Sequence, residues 1–559
     1  MADPIGEART AVEQSAAQAR AAAERGKQKR QPTIGPVRHN LEAFGVAILG
    51  AVLLKWFCLE AFQIPTSSMQ PTLMGSSEAG IYDRLLVDKL TPALREPQRW
   101  DVTVFGYPLQ QNQNYVKRLV GLPGETLFIG GGNLYTVTEQ GGQRSHQVLA
   151  KPDRIQEGLW KEVYPARLLL HEGQKPLGGM FFTTFASAWS AGDEPGSFTV
   201  QLEPVTGRTY KMAFRDDVDG GFVNRVWDGY PTNTAQAIRA DNAGRTTDLE
   251  IVPDARIAAV ITPEQRIDEL VFEIEVQRPG QPTMGYSLRI AGGTGTLRAR
   301  SGSDAPFESA GFVCELPAGV ATEVAFAHLD DHLIAWRDGE EVLRLPIPDY
   351  AIRSGCELPT GADGVREGHS ATPQILLKGQ GKVSIDELRI WRDLHYTKSG
   401  FPHAQDLIRI PEGHYFMMGD NTLQSVDSRG WTAITLGALE DGTVVHPDTA
   451  RATEGARLLR GNKRVIPGNK PPDRDETPVV IASRDKIAML DELGEVHALD
   501  ADARVEGNAL FISPPTPAGA EGEWQPPEEW VPFVPREHIR GRALLIFWRW
   551  PFPQLTPIR

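Results

Sequence analysis

Cysteine is scarce in this chain, with three in 559 residues. That is too few for a disulfide framework or a four-cysteine zinc site. An excess of positive charge is also missing. The 58 Lys and Arg residues against 72 Asp and Glu leave a net charge of −14, which argues against general affinity for nucleic acid. Long apolar runs are absent except for one, from Leu41 to Ile64. What the chain has in quantity is glycine (55) and proline (42), a turn-rich composition that favours β architecture over a helical bundle. Its length and 41% hydrophobic content allow more than one buried core. Cys58 lies in the apolar run and reads as a small apolar residue. A disulfide between Cys314 and Cys356 stays open, because sequence supplies no geometry.

The apolar run follows a stretch carrying Arg25, Lys27, Lys29, Arg30 and Arg38. Crossing a bilayer core takes about 20 residues. Glu42, Lys55 and Glu60 interrupt the run, and charges near the ends of a span can snorkel to the interface. Residues 1–40 therefore read as a cytoplasmic tail and residues 41–63 as a transmembrane helix, with everything beyond on the outer face by the positive-inside rule. A cleavable signal peptide is the competing reading. It fits less well, since the run starts far from Met1 and no Ala-x-Ala site follows it. A buried helix of a soluble domain is the bland alternative.

Three short blocks carry the chemistry. The first, Ile64-Pro65-Thr66-Ser67-Ser68-Met69-Gln70-Pro71, places a serine on a proline-flanked bend directly after the apolar run. The second, Tyr115-Val116-Lys117-Arg118, runs through Leu119 and Val120 into Gly121-Leu122-Pro123-Gly124-Glu125. Strand alternation puts Tyr115, Lys117 and Leu119 on one face and Val116 and Arg118 on the other. The third is Gly419-Asp420-Asn421 followed by Ser425, Asp427, Ser428 and Arg429. Its glycine suits a tight turn, and Asp427 and Arg429, two apart on a strand, would form an ion pair. Taken singly, these are a polar turn, an exposed-strand lysine and a loop.

Together and in this order, they resemble the bacterial type I (leader) signal peptidases, a serine–lysine membrane protease family. The resemblance implies Ser68 as nucleophile and Lys117 as its base. Thr66 and the backbone N–H of Ser68 would form the oxyanion hole. Ser425 would orient the lysine amine, with Asp427 and Arg429 as a bracing pair. Serine needs a neighbouring base to attack, and a lysine serves only when burial pulls its pKa down from about 10.4. Thr422-Leu423-Gln424 departs from the family's usual Arg-Asp-Asn filling at that point, which bears on loop packing rather than on the dyad. Arg99-Trp100-Asp101-Val102-Thr103-Val104-Phe105 is similar to a family strand with Trp in place of Gly. Val534 to Trp548 is similar to the closing strand of the catalytic barrel, and Trp548, Trp550 and Phe552 suit a lipid interface.

The blocks are separated by long insertions. Phe198–Leu202, Leu270–Val276, Glu323–Phe326, His332–Val342 around an Asp338-Gly339 turn, and Val383–Trp391 read as strands. They are similar to a laminin-G or concanavalin-like jelly-roll sandwich. The expected layout is a first catalytic segment at 64–135 and an insertion at 136–404, with its sandwich at about 178–391. A second catalytic segment follows at 405–435, then a second insertion at 436–530 and a closing catalytic segment at 531–559. Asp216, Asp217 and Asp219 beside Gly220 read as a solvated acidic turn rather than a calcium loop, so no metal is expected.

The reading is a mainly β, signal-peptidase-type antiparallel fold with an N-terminal transmembrane helix and an inserted β-sandwich. It would be a serine endopeptidase on the outer, periplasmic face of a bacterial cytoplasmic membrane, single-pass, with its N-terminus in the cytoplasm. Its partners would be exported precursor proteins, cut after small residues in an Ala-x-Ala pattern, and membrane lipid. No cofactor and no nucleic acid are implied, and the sandwich's ligand is unassigned. The alternatives are a membrane-anchored glycan- or protein-binding surface protein with an inactive peptidase portion, and a self-cleaving serine–lysine protease.

Overall fold

The computed structural model describes residues 13–18, 20, 36–70, 72–76, 81–165, 181–205, 207–214, 216–218, 221–223, 251–278, 280–348, 370–398, 401, 403, 407–422, 425–463, 465–467, 480–482, 486–506, 509–513, 523–550 and 556–558. Two compact units divide the chain after Leu59.

The first unit holds an α-helix, Pro36–Leu53, that continues through a π-helical turn at Leu54–Cys58. Asn40–Cys58 is long and apolar enough to cross a membrane, and none of it is buried. The expected helix to residue 63 is too long. From Leu59 to Ile64 the chain is a strand, in which Phe62 and Ile64 face inward while Ala61 and Gln63 are exposed. Glu60 there pairs with Lys89 at 3.2 Å.

The second unit is built on an antiparallel sheet. Its order is Leu59–Ile64, Ile81–Asp88, Ile539–Trp550, Val102–Tyr107, Gln110–Gly121, His414–Met418 and Phe533–Pro535. The strand expected to close the barrel thus lies inside the sheet, pairing Leu85 with Ile546 and Thr103 with Arg542. Two apolar layers cover the faces. Leu85, Val87, Val102, Val104 and Ala543 form one; Phe105, Leu119, Met417, Trp431 and Val534 form the other. Alternation along Val102–Tyr107 sends Val102 and Val104 into the first layer and Phe105 and Tyr107 into the second.

A smaller sheet adds Thr126–Gly130, Asn133–Gln140, Gln143–Val148 and Ile408–Arg409. The expected boundary at 135/136 therefore falls inside a strand, and three strands of this sheet and the helix Asp153–Leu159 precede the insertion, with Ile408–Arg409 joining from beyond it.

The insertion is a sandwich of two eight-stranded sheets around one apolar core that includes Phe272, Phe326, Ile385 and Leu288. The sequence-read strands appear as Phe198–Leu202, Glu269–Gln277, Thr322–Leu329, His332–Arg337, Glu340–Pro346 and Gly381–Arg392. Asp338 and Gly339 both take positive φ, 50° and 81°, the twist that matches a two-residue hairpin turn. The sandwich begins earlier than expected, because Lys161–Tyr164 pairs with Gly381–Arg392.

The boundary expected at 435/436 also cuts a strand, Thr432–Ala438. That strand pairs with Arg457–Asn462 and Glu528–Trp530, which fall in or end the second insertion. Cys314 is buried and unbonded, while Cys356 lies outside the described residues, as do Asp219, Gly220 and most of the basic stretch before the helix.

Candidate active site

Ser68 sits on the bend after the first sheet strand, partly exposed, with Met69 and Gln70 buried behind it. Local hydrogen bonds hold the bend: Gln70 N donates to Ser67 O at 3.0 Å and Leu73 N to Met69 O at 3.0 Å. Gly75 crosses the approach to it so closely that a Cβ there would lie 2.5 Å from Thr66 O and 2.7 Å from Ile64 O. Asp83, fully buried, anchors the far end, accepting from Met74 N at 2.7 Å. Thr66, two residues before Ser68, is half-buried on the same bend.

Lys117 arrives from the Gln110–Gly121 strand opposite Thr103. Its ammonium donates to Ser68 Oγ at 2.6 Å and lies 5.9 Å from the centre of the Tyr115 ring, on the face that alternation assigned. The side chain is buried. Burial, the largest influence, drives its pKa down to about 8; Asp427 and Asp420 pull it upward and Arg429 pushes it down. The lysine is therefore within reach of its neutral form near physiological pH.

The third block closes over both. Asn421 donates from its backbone to Ser68 O at 3.1 Å and from Nδ2 to Ser67 O at 3.1 Å. Gly419 takes no positive φ, contrary to the turn expectation. Its lack of a side chain matters for space, since a Cβ would lie 2.2 Å from Ser425 Oγ and 2.4 Å from Ser68 O. Ser425 is thus brought to the site, yet its buried hydroxyl has no hydrogen-bond partner among the described residues, so the expected contact to the lysine amine is not made.

Asp427 and Arg429 lie on a turn rather than a strand. They still form a buried forked pair, both bonds at 2.8 Å. Burial works to raise the Asp427 pKa, but Arg429 and the Gly419 N–H hold it below the ordinary carboxylate value.

Sequence reasoning missed a second buried fork. Arg118 donates to both carboxylate oxygens of Asp420, at 2.8 and 2.7 Å, and to Trp100 O at 2.7 Å. Thr72 also donates to that carboxylate. The signal was available, since Arg118 follows the lysine and Asp420 sits in the Gly-Asp-Asn turn. This fork ties the lysine strand to the loop that grips the serine bend.

Parts of the chain are similar to known proteins. Residues 37–159 and 368–446 match the family model described as signal peptidase, peptidase S26. Signal peptidase I of Pseudomonas aeruginosa is 41% identical over 98 residues, 15% of this chain and 32% of that protein. Signal peptidase I of Leptolyngbya laminosa is 33% identical over 107 residues, 18% of this chain and 49% of that protein. The chain thus spans about a third to a half of the relatives it matches, and over those segments it resembles the type I signal peptidases. Among solved structures, a carbohydrate-binding module, CBM66 from Bacillus subtilis, aligns with 38% of this chain and 95% of its own, at 7% identity and a TM-score of 0.21. A likeness at that level says nothing about a ligand.

Proposed function

We propose that this protein is a membrane-anchored serine endopeptidase that removes signal peptides from exported precursors. In this reading Ser68 is the nucleophile and Lys117 the general base. The observation that carries it is the 2.6 Å contact between Lys117 Nζ and Ser68 Oγ, made by a buried lysine whose pKa is about 8. In the neutral amine the contact reverses, and Ser68 Oγ–H donates to Nζ. The hydroxyl oxygen attacks the scissile carbonyl while its proton passes to Lys117. The resulting oxyanion is received by the Ser68 N–H and the Thr66 hydroxyl, donors whose individual loss typically costs about 10²–10³ in rate. The protonated amine then delivers that proton to the leaving nitrogen, the C–N bond breaks, and water hydrolyses the acyl-enzyme by the same base.

Asp427–Arg429 and Arg118–Asp420 hold the groups in register. The precursor binds extended, with small residues at the first and third positions before the cut, as in Ala-x-Ala. The N-terminal helix spans the cytoplasmic membrane with its basic flank inside, which puts the dyad on the outer face where signal peptides emerge. The experiment is cleavage of a fluorogenic Ala-x-Ala peptide and of a full precursor by detergent-solubilised protein. Turnover by the parent and none by Lys117→Met is the expected result; silence of a folded parent on both substrates would remove the reading.

A further inference from the structure

The residue that ties the inserted sandwich to the reacting serine lies outside the segments matched to the peptidase family. Lys161 opens the sandwich's edge strand, paired through Arg392 with the last long sandwich strand. Its side chain does not stay with the sandwich. It is buried and its ammonium donates to Asp420 O at 2.7 Å, with Gln70 O at 3.5 Å. These two carbonyls belong to the two segments that meet at the site. Gln70 is two residues past Ser68, and Asp420 precedes the Asn421 whose two donors hold Ser67 and Ser68.

The chain leaving the sandwich, past Arg392, grips the same loop. Thr422 Oγ1 donates to His395 O at 2.7 Å, and Arg429 Nη1 donates to Thr397 O at 2.5 Å. Chain entering and chain leaving the sandwich therefore both end on the loop that closes over the dyad. A buried ammonium is costly unless it is held by several polar contacts, and Lys161 directs its charge to the seam between the serine bend and that loop.

We propose that Lys161 is a positioning residue, through which the sandwich sets the placement of Ser68 against Lys117. This rests on the peptidase reading. It also assigns the sandwich a role in the reaction that needs no ligand. Displacing a reacting group by about 1 Å can cost 10²-fold in rate, so the effect belongs in turnover rather than in affinity.

The test uses the full-length protein in detergent, comparing parent, Lys161→Met and Lys161→Arg. Cleavage of the Ala-x-Ala peptide by Lys161→Met should show kcat lower by about 10- to 100-fold, with KM within about twofold and the pH midpoint unmoved. Lys161→Arg should recover most of the loss. In parallel, amide hydrogen exchange in Lys161→Met should rise at 67–74 and 419–422 while the sandwich strand Glu269–Gln277 exchanges as in the parent. Parent-like kcat, or exchange unchanged at the bend, overturns the proposal. So does a rise across the whole sandwich, which would mark a merely structural residue. An inactive parent would remove the peptidase reading, while the exchange comparison would still decide whether Lys161 orders the bend.

Discussion

Two buried lysines in this protein meet opposite fates. Lys117 touches a serine hydroxyl at 2.6 Å and has no carboxylate in ion-pair contact among the described residues. The acid that pulls hardest on it, Asp427, is forked by Arg429. Lys151, equally enclosed, lies 2.7 Å from Asp393 and 3.1 Å from Asp330, at the joint between sandwich and catalytic portion. Burial depresses both, but at Lys151 the two acids outweigh it and the pKa rises above the ordinary lysine value. At Lys117 burial prevails and the pKa falls to about 8. Burial alone, then, does not decide a lysine's pKa. It stays lowered where the nearby acid is paired with an arginine and the lysine's own contact is a hydroxyl.

The acids around Lys151 show the complementary effect. The carboxylates of Asp254, Asp330 and Asp393 lie within 4.8 Å of one another, and Asp254 is paired with His328 at 2.9 Å. Burial first, then Asp393 and Asp254, push Asp330 up to about 7 against the pull of Lys151.

The comparison breaks most visibly in activity. Ser68→Ala and Lys117→Met should each lower precursor cleavage by roughly 10⁴-fold or more, since residues that act as a unit fail together. Lys117→Met should leave the thermal midpoint equal or higher, because it removes a desolvated charge with no ion pair to lose. The same substitution at Lys151 should do the reverse. Lys151→Met strands two buried carboxylates and should cost about 3–5 kcal/mol in denaturant unfolding. A neutral Lys151→Met beside a destabilised Lys117→Met would invert the argument.

A smaller effect sharpens it. Asp330's folded pKa lies above its unfolded value, so between about pH 4 and 7 the native state holds a proton that the unfolded chain has released. That group's contribution therefore falls as pH rises through this window. Asp330→Asn should flatten the loss of stability from pH 5 to pH 8 by on the order of 1 kcal/mol. Parallel stability curves for parent and variant would count against the raised pKa.

The sequence carried much of this where the signal is local. Strand alternation put Lys117 with Tyr115 and Leu119, and the Asp338-Gly339 pair marked its hairpin. The serine bend, the lysine strand and the loop at 419–429 do converge. Misses arose where partners are distant in sequence. Lys151 gave no sign of meeting Asp330 and Asp393, nor Lys161 of reaching Asp420. Leu59–Ile64 looked like membrane helix because a half-buried strand and a span share apolar composition. Asp427 and Arg429 formed their pair from a turn, for which a two-residue spacing serves as well as it does on a strand. Gly419 was read for its backbone freedom, whereas crowding by Ser68 and Ser425 is what requires it.

The central claim is that burial has made Lys117 the base for Ser68. It is tested most directly by kcat/KM for the Ala-x-Ala peptide from pH 6 to pH 10, parent beside Lys117→Met. The account expects activity to climb about tenfold per pH unit on the acid side, level off past a midpoint near 8, and vanish across the range in the variant. A flat profile from pH 6 upward, a midpoint near the ordinary lysine value, or turnover by Lys117→Met would contradict it.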